Sequence, residues 1–388
     1  MKNSLWQGRH CYLLINSTLF GITLVLGSCN YGSNSTTSSN SWQVVGTRSS
    51  LPNVVLNSLL VSNSGVIYAG GSIDVYNGGV EQLSLASNNT WQIVGGAYIP
   101  NHYIANYGTN IKQVNGLALS DNNIVYAAVN ENYLYGAVYF SVNNSWQVFI
   151  DSITPDSGKI NSLVAAQDGS AVYVATSAYD VVNNRYLGHV YSGESGGSWQ
   201  QIGGGGMPDS GVANAVLLNA NTLYVAAGGP NLAMVNTTIG DVYSSTFTGG
   251  SWGNWSQVGS ASMPDSGVAT ALALVNLKDT AHLYSSTSKG NVYLNQNKGV
   301  AWSLIGNGSM PDAGAVNALA ASANGSTALI YAATSKGNVY ATMESGVWQL
   351  LGGGATPDGW FINSIATYHN QVYVATQGGN VYTTQASF

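Results

Sequence analysis

From residue 42 onwards, short runs of alternating apolar and small polar residues are separated by clusters of Gly, Pro, Asn and Ser. This alternation is typical of β-strands joined by tight turns. One unit of the pattern contains four such runs, which are Val316–Ala320, Leu329–Thr334, Gly337–Tyr340 and Trp348–Gly352. The pattern therefore predicts an all-β fold with four strands in each unit.

The unit recurs seven times, each time with a Trp followed by Asn or Thr at the start of an apolar run. The gap within the pair is fifteen residues in six units and twenty-four in the second. The pairs are Trp42/Asn57, Trp91/Asn115, Trp146/Asn161, Trp199/Asn214, Trp255/Thr270, Trp302/Asn317 and Trp348/Asn363. Seven units of four strands predict a seven-bladed β-propeller with four antiparallel strands per blade, spanning residues 42–388.

Residue sizes along the unit agree with this architecture. Ala, Ser and Gly follow the Asn position on the predicted innermost strand, where the blades converge and space is small. The Trp residues, and the Tyr residues of the second and third strands, fall farther out, where the blades diverge. We therefore expect these aromatic residues to form the core between blades.

The phase of the repeat predicts how the ring closes. Between Asn57 and Phe388 there are seven innermost strands but only six Trp-bearing outer strands that follow them. The remaining outer strand is Trp42–Val45, which we expect to pair with Gly379–Tyr382 of the last blade. Closure in this way removes the open sheet edges that favour aggregation.

The connections between the third and fourth strands resemble a degenerate Asp-box, the turn of BNR (sialidase-type) repeats, without its Asp. Examples are Ser192–Trp199 and Met343–Trp348. The run Tyr331–Trp348 also resembles the repeats of PQQ-type propellers, which include outer-membrane lipoproteins that scaffold β-barrel assembly. The resemblance extends over residues 42–388 and is specific to the propeller class, so it implies the fold and transfers little activity.

The first 28 residues have the pattern of an export signal. Lys2 and Arg9 accompany a mostly apolar stretch over residues 13–26, and small residues follow it before Cys29. This segment resembles the lipobox of a bacterial lipoprotein, which implies cleavage before Cys29 and lipidation of its thiol. An ordinary signal peptide and an uncleaved membrane anchor are the alternatives.

The residues after Cys29 bear on where the protein would be found. Residue 30 is Asn instead of Asp, which by the sorting pattern of such lipoproteins favours the outer membrane. Residues 29–41 are rich in Ser, Asn and Thr, as in a flexible tether. We therefore expect a protein held at the outer membrane by its lipid alone, on the periplasmic side or at the cell surface.

Charge excludes several functions. Only 7% of the residues are charged, and removal of residues 1–28 would leave 8 basic against 16 acidic residues, one Cys and no internal disulfide. Arg48 and Arg185 would be the remaining arginines, so neither a nucleic-acid partner nor the arginine triad of a sialidase is expected. The remaining histidines have no metal-ligand spacing, so we expect no metal and no cofactor; they are His102, His189, His282 and His369.

The repeat is interrupted on one face only. From the second-strand Tyr to the third-strand Gly there are 11, 10, 15 and 16 residues in blades 1 to 4, and 6 in each of blades 5 to 7. The one long connection from an outer to the next inner strand is 96–114, which leads into blade 2. In a propeller both kinds of connection lie on the same face, which we call the loop-rich face.

The inserted segments carry aromatic and polar side chains with few charges. Tyr offers a flat apolar ring and a hydroxyl, which suit both sugars and protein surfaces, and loops on a rigid scaffold commonly bind ligands. Packing of the loops on one another as a neutral cap is the alternative. The candidate ligand-binding residues are Tyr76, Tyr98, His102, Tyr103, Tyr107, Tyr133, Tyr135, Tyr179, Asp180, Arg185 and Tyr186.

Two regular features belong to the same face. A Pro-Asp dipeptide precedes five innermost strands, at Asp156, Asp209, Asp265, Asp312 and Asp358. Ordinary turn chemistry accounts for it, and a ring of carboxylates that contacts a ligand is the alternative. The Asn or Thr at the start of each innermost strand either bonds neighbouring backbone, which we favour, or lines the mouth of a channel.

These observations predict a non-catalytic binding protein of the cell envelope, a monomer whose partner is a glycan or an envelope protein. An outer-membrane assembly scaffold is the first alternative. A carbohydrate hydrolase or lyase is the second, because carboxylates from distant loops could meet across a propeller face. The sequence contains neither a Gly-x-Ser-x-Gly elbow nor a phosphate-binding loop, so no catalytic residue is assigned.

Overall fold

The computed structural model describes most of the chain. The described residues are 13–18, 21–26, 41–46, 54–72, 77–86, 90–100, 112–131, 135–150, 153–182, 185–209, 211–230, 238–259, 261–278, 280–297 and 299–385. Within them the chain forms 31 strands and one short 3-10 helix, Val94–Gly96. Seven antiparallel sheets, each built on four strands, are arranged as the blades of a propeller, as the repeat predicted.

The strands are numbered in chain order, and each blade is given from its innermost strand outwards. Blade 1 contains β4 (Val55–Val61), β5 (Val66–Ser72), β6 (Gly78–Ser84) and β7 (Gln92–Ile93). Blade 2 contains β8 (Lys112–Leu119), β9 (Val125–Glu131), β10 (Tyr135–Val142) and β11 (Ser145–Val148). Blade 3 contains β12 (Lys159–Ala165), β13 (Ala171–Asp180), β14 (Arg185–Glu194) and β15 (Gln200–Gln201).

The remaining blades repeat this order. Blade 4 contains β16 (Val212–Asn219), β17 (Thr222–Pro230), β18 (Thr238–Thr248) and β20 (Ser256–Gln257), with β19 (Ser251–Trp252) also paired to β18. Blade 5 contains β21 (Ala269–Leu277), β22 (Thr280–Thr287), β23 (Val292–Gln296) and β24 (Ser303–Leu304). Blade 6 contains β25 (Val316–Asn324), β26 (Thr327–Thr334), β27 (Val339–Met343) and β28 (Gln349–Leu350). Blade 7 contains β29 (Ile362–Tyr368), β30 (Gln371–Thr376), β31 (Val381–Gln385) and β3 (Gln43–Val44).

The outer strand of blade 7 comes from the start of the propeller, which confirms the predicted closure. Gln43 pairs with Thr383, and Val44 pairs with Tyr382, in antiparallel register. The indole Nε1 of Trp42 donates to the carbonyl of Gly354 at 3.0 Å, which ties the same segment to blade 6. The ring is therefore closed by hydrogen bonds on both sides of this strand.

The repeated Trp residues lie between blades, as predicted. Trp91 is 8% exposed, and its Nε1 donates to the carbonyl of Val45 in the preceding blade at 2.9 Å. The next residue, Gly46, has φ +71°, and a Cβ on it would lie 2.6 Å from Trp91 Nε1. Only a glycine combines this backbone conformation with such a close indole, so the Trp and the Gly are fitted to each other.

The Asn positions join the innermost strands to one another. In blade 3 the register of β12 shifts between Ile160 and Ser162, so Asn161 lies on a β-bulge. Its Nδ2 donates to the carbonyl of Ala213 in blade 4 at 2.9 Å. Equivalent bonds to the next blade run from Asn214 to Ala269, from Thr270 to Val316 and from Asn363 to Leu56. These side chains therefore bond neighbouring backbone, which was the favoured interpretation.

The segment before the propeller contains a further hairpin, β1 (Leu13–Thr18) paired with β2 (Gly21–Leu26). Asn16 of β1 pairs with Ala215 of β16, so the hairpin lies beside the innermost strand of blade 4. Among the described residues no helix has the length and hydropathy needed to span a bilayer. Cys29 lies outside the described residues, so the division into an export signal over 1–28, a tether over 29–41 and the propeller remains a prediction for its first two parts.

Candidate functional site

The longest described projection on the loop-rich face is the hairpin of β13 and β14 in blade 3. Each strand has ten residues, and the pairing continues as far as Asp180 opposite Arg185. At its tip Val181 is 77% exposed and Val182 is 87% exposed. The backbone N–H of Val182 donates to Asp180 Oδ1 at 3.0 Å, which holds the turn in shape. The hairpin therefore presents two aliphatic side chains to solvent next to the end of a continuously paired pair of strands.

Two of the predicted Tyr residues lie just below this tip. Tyr179 and Tyr186 are opposite each other in the register, and their ring centroids are 5.2 Å apart with an angle of 57° between the planes. They are 48% and 44% exposed, so each side chain is about half accessible to solvent. An exposed surface of two Val and two Tyr is largely apolar and carries two hydroxyls, and we call these four residues the blade 3 tip.

The structure describes only some of the other predicted ligand-binding residues. Tyr98 and Tyr135 are 36% and 37% exposed, on the connection into blade 2 and at the start of β10. Arg185 belongs to β14, but its side chain is not described. The remaining candidates lie outside the described residues, so their role stays a prediction: Tyr76, His102, Tyr103, Tyr107 and Tyr133.

The Pro-Asp turns join blades. In the turn before blade 6, Asp312 Oδ1 accepts the backbone N–H of Gly314 at 2.8 Å. Its Oδ2 accepts the hydroxyl of Thr334 at 2.7 Å and the amide of Asn338 at 2.8 Å. In the same turn the N–H of Met310 bonds a carbonyl of blade 5 at 2.8 Å. The carboxylate thus fixes the turn to the next blade, and we call this arrangement of Asp, Thr and Asn the carboxylate clamp.

Blades 5 and 7 contain the same clamp. Asp265 accepts from Thr287 at 2.6 Å and from Asn291 at 2.6 Å. Asp358 accepts from Thr376 at 2.6 Å and from Asn380 at 3.1 Å. The three carboxylates therefore serve the turns and the blade joints, which favours the turn interpretation for this part of the ring.

Blade 3 has a histidine in place of the clamp Asn. His189 Nδ1 lies 3.0 Å from Asp156 Oδ2, and Thr176 donates to the same oxygen at 2.5 Å. Burial acts to raise the pKa of Asp156, but the hydrogen bonds from His189, Thr176 and Gly158 outweigh it, so the pKa is lowered. Asp156 is therefore held as a carboxylate by its neighbours.

Blade 4 departs further, because an aspartate stands at the clamp Asn position. Asp241 is 3% exposed and accepts from Gln257 Nε2 at 2.6 Å and from the hydroxyl of Tyr243 at 3.3 Å. Asp209 Oδ1 accepts the N–H of Gly211 at 2.9 Å, while its Oδ2 is buried and has no hydrogen-bond partner among the described residues. Burial, with a smaller contribution from the charge of Asp241, raises the pKa of Asp209 to about 6.

The missing donor in blade 4 has a sequence cause. The clamp Thr of blades 3, 5, 6 and 7 is replaced in blade 4 by Ala227, which has no hydroxyl. Neither Asp241 nor Ala227 was among the residues predicted from the sequence. The sequence does mark this position, which is the second residue of the Gly-x-Val-Tyr motif on the third strand. It is Asn in blades 5 to 7, His in blade 3 and Asp in blade 4.

Two oppositely charged side chains are buried at the base of the insertion before blade 2, and neither was predicted from the sequence. Lys112 and Glu131 are paired across β8 and β9, and each is 1% exposed. Lys112 Nζ donates to the carbonyl of Ile99 at 2.9 Å, which joins the two ends of the insertion. Burial lowers the pKa of Lys112, and the charge of Glu131 opposes this. The hydrogen bond from Lys112 to Ile99 therefore holds the inserted loop at its base.

No three His, Cys, Asp or Glu side chains come together in an arrangement suited to a metal ion within the described part of the chain. The His189–Asp156 pair and the Asp209–Asp241 pair each supply two such groups. The chemistry that the described face offers is therefore apolar contact and neutral hydrogen bonding at the blade 3 tip, with carboxylates engaged mainly in structural bonds.

Comparisons with known proteins support the architecture. No protein-family profile and no curated protein sequence matches the chain. Among solved structures, it is similar to an inactive variant of virginiamycin B lyase from Staphylococcus aureus with quinupristin, with a TM-score of 0.61 and 9% identity over 89% of this chain and 100% of that one. It is also similar to YCF48 bound to D1 peptide, with a TM-score of 0.55 and 12% identity over 93% and 99% of the two chains. At these identities the similarity shows the propeller fold alone.

Proposed function

We propose that this protein is a non-catalytic binding propeller that recognises a protein partner in the cell envelope through its loop-rich face over blades 1 to 4. The observation that carries the proposal is the blade 3 tip, where Val181 and Val182 are 77% and 87% exposed beside the paired rings of Tyr179 and Tyr186. A monomeric soluble protein gains nothing in stability from aliphatic side chains held in water on a projecting hairpin. Such groups become favourable when a partner covers them.

The tip favours a protein over a glycan. Aliphatic side chains at the end of a hairpin bind apolar surface, which a protein supplies, whereas sugars present hydroxyls and need polar partners at the centre of the site. Tyr98 and Tyr135 add half-exposed rings on the blade 2 side of the face. The structurally similar YCF48 was solved with a peptide and the lyase with quinupristin, so ligand binding is compatible with this architecture.

The Asp209–Asp241 pair does not support the hydrolase alternative. A carboxyl with a raised pKa beside a second carboxylate is the pattern of a general acid and its partner. However, Asp241 is 3% exposed and both of its oxygens accept hydrogen bonds within the protein. A catalytic carboxylate must reach water or substrate, so the pair fits a role inside the scaffold.

The test compares envelope partners of three forms of the full-length protein: wild type, Val181→Ser/Val182→Ser, and Val347→Ser. Val347 is 56% exposed on the opposite face, so its substitution removes a comparable exposed side chain away from the proposed site. We expect cross-linking in intact envelopes to give a partner band with wild type and Val347→Ser, and at least a fivefold weaker band with the double variant. Both substitutions should leave the melting temperature nearly unchanged, because exposed positions contribute little to stability.

Equal cross-linking by all three forms would contradict the proposal. Retention of the wild type on a glycan array, with loss in Tyr186→Ser and no protein partner, would favour the lectin alternative. Identification of outer-membrane barrel proteins in the band would make the assembly scaffold the specific form of the proposal.

A further inference from the structure

An exposed aromatic pair lies on the loop-rich face, on the half that carries no insertions. Trp360 and Phe361 belong to the connection between β28 of blade 6 and β29 of blade 7 and are 52% and 51% exposed. The seven repeated Trp residues do not include Trp360, so the framework of the fold does not account for it.

Every other described Pro-Asp turn has glycine at the position of Trp360. These glycines are Gly158, Gly211, Gly267 and Gly314. A Cβ on Gly314 would lie 2.9 Å from the Cβ of Thr334 and 3.1 Å from the Cγ of Lys336. A side chain at this position therefore clashes with the next blade unless that blade is changed to receive it.

Blade 7 has the corresponding change. Blades 5 and 6 carry Lys289 and Lys336 in the turn between second and third strands, whereas blade 7 has Gly378. A Cβ on Gly378 would lie 2.3 Å from Trp360 Cδ1, so the indole occupies the space that a side chain would fill. The two differences are complementary, and together they place a tryptophan ring against a glycine backbone.

The backbone of the pair is held by hydrogen bonds. The N–H of Trp360 donates to Asp358 Oδ1 at 3.2 Å, and the carbonyl of Phe361 accepts from the N–H of Gln377 at 2.9 Å. Asp358 is itself fixed by the clamp of blade 7. The ring is therefore positioned by the scaffold while half of its surface faces solvent, which is the arrangement that binding by stacking requires.

An exposed lysine belongs to a turn that adjoins this surface. The carbonyl of Trp360 is 3.0 Å from the position of a Cβ on Gly337, so the blade 6 turn that bears the exposed Lys336 adjoins the pair. The two nearest clamp carboxylates, Asp312 and Asp358, are occupied by Thr and Asn donors. An anionic ligand on the aromatic pair would therefore have the Lys336 turn as its basic neighbour, and the nearest carboxylates are already hydrogen-bonded.

We propose that Trp360, Phe361 and Lys336 form a second binding site, which takes a carboxylate-bearing sugar unit of an acidic polysaccharide. The C–H face of a pyranose ring stacks on the indole, and the Lys336 ammonium pairs with the carboxylate of the sugar. Two rings and one cation match one sugar unit, whereas a stable protein interface covers about 800 Å² per partner. The site uses blades 6 and 7, so it stands independently of the blade 3 tip.

The test measures binding of an oligogalacturonate to the full-length protein by calorimetry, with its methyl ester and an oligoglutamate peptide as probes. The protein carries a net charge of −6, so unspecific attraction of a polyanion is not expected. We expect wild type to bind the oligogalacturonate in preference to both other probes. Trp360→Gly introduces the residue that the other four described Pro-Asp turns have at this position. It should weaken binding by about tenfold or more, equivalent to about 1.4 kcal/mol.

Lys336→Gln separates charge from stacking. It should weaken binding of the oligogalacturonate by about threefold and remove the preference over the methyl ester, since an exposed ion pair contributes modestly. Phe247→Ser removes a side chain that is 41% exposed near the opposite face and should bind as wild type does. Trp360→Gly should still fold, because four equivalent turns are built with glycine there, but its melting temperature should fall by a few degrees, because Gly378 leaves the space of the indole empty.

Three results would overturn the proposal. They are no binding of the oligogalacturonate by wild type, equal binding by wild type and a folded Trp360→Gly, and binding of the oligoglutamate as tight as that of the sugar. The last would assign the site to an acidic polypeptide. None of them bears on the blade 3 tip, whose test uses different variants and a different readout.

Discussion

The two halves of the loop-rich face are built from one repeat but differ in how they use the same aspartate. In blades 5 to 7 each clamp Asp accepts from a Thr hydroxyl and an Asn amide, and the connections are short. In blade 4 the same position, Asp209, has one oxygen without a partner among the described residues and a second aspartate beside it. The regular half is thus strongly bonded, and the half with insertions contains a weak joint.

This contrast indicates where the fold tolerates variation. A propeller is held by the bonds between neighbouring blades, so a blade joint can be weakened locally while the remaining joints keep the ring closed. The weak joint of blade 4 lies directly below its inserted connection between β17 and β18. Stability and loop variation are therefore separated between the two halves of one face.

Removal of a complete carboxylate clamp in the regular half should cause the largest loss of stability. Asp312→Ala removes the acceptor for Gly314, Thr334 and Asn338 and should lower the free energy of unfolding by about 3 kcal/mol, because bonds to a charged group are worth more than neutral ones. Asp209→Ala is the matched variant and should cost less than half as much in urea unfolding at pH 7. Equal costs would show that the two halves are equivalent.

A smaller effect concerns the pH dependence of blade 4. The pKa of Asp209 is raised from 3.8 to about 6, so the stability that its bound proton contributes is present below about pH 4 and lost as pH rises through about 6. Asp241→Asn removes the nearby charge and should stabilise the protein by about 1 kcal/mol at pH 8, with a gain near zero at pH 4. Urea unfolding at both pH values measures this.

The control for the pH experiment is Asp121→Asn, which removes one exposed charge outside the clamps. It should give a small effect with no step between pH 4 and pH 8. A gain for Asp241→Asn that does not change with pH would mean that Asp209 is ionised throughout this range.

Restoring the clamp hydroxyl in blade 4 should cause a smaller change, which is a gain in stability. Ala227→Thr supplies the hydroxyl that Thr176 and Thr334 provide in blades 3 and 6, and should raise the free energy of unfolding by about 0.5–1 kcal/mol at pH 7. The gain should be smaller at pH 4, where Asp209 already holds a proton. The control is Ala333→Thr, which places a hydroxyl next to an existing clamp Thr. A loss of stability in both variants would contradict the idea that Asp209 can accept a further hydrogen bond.

Much of the architecture was predictable because it repeats. The spacing of Trp91 and its equivalents set the number of blades, and the count of outer strands identified Trp42–Val45 as the closing strand, which the pairing of Gln43 with Thr383 confirms. The turn role of Asp312 was also predictable, since Pro and Asp in sequence specify a local backbone shape. The lipid anchor at Cys29, the envelope location and the ligand remain predictions.

The candidate site was predictable only in part. The interrupted repeat directed attention to Tyr179 and Tyr186, but not to Val181 and Val182, which have no signature beyond their place at a hairpin tip. Trp360 was hidden among ten Trp residues, because its distinction is the glycine that faces it at position 378. The buried pair of Lys112 and Glu131 was invisible for the same reason, since its members are neighbours across strands and distant in sequence.

The propeller, its seven blades, its closure and its turns follow from the sequence, because periodic spacing and local backbone preference are properties of short stretches of chain. The identity of the aspartate that lacks a donor among the described residues, of the exposed tryptophan and of the buried lysine depends on the three-dimensional fold. Those outcomes depend on groups brought together from different blades, where one missing hydroxyl at Ala227 or one missing side chain at Gly378 changes the surroundings of a residue that the repeat alone would treat as equivalent to its counterparts.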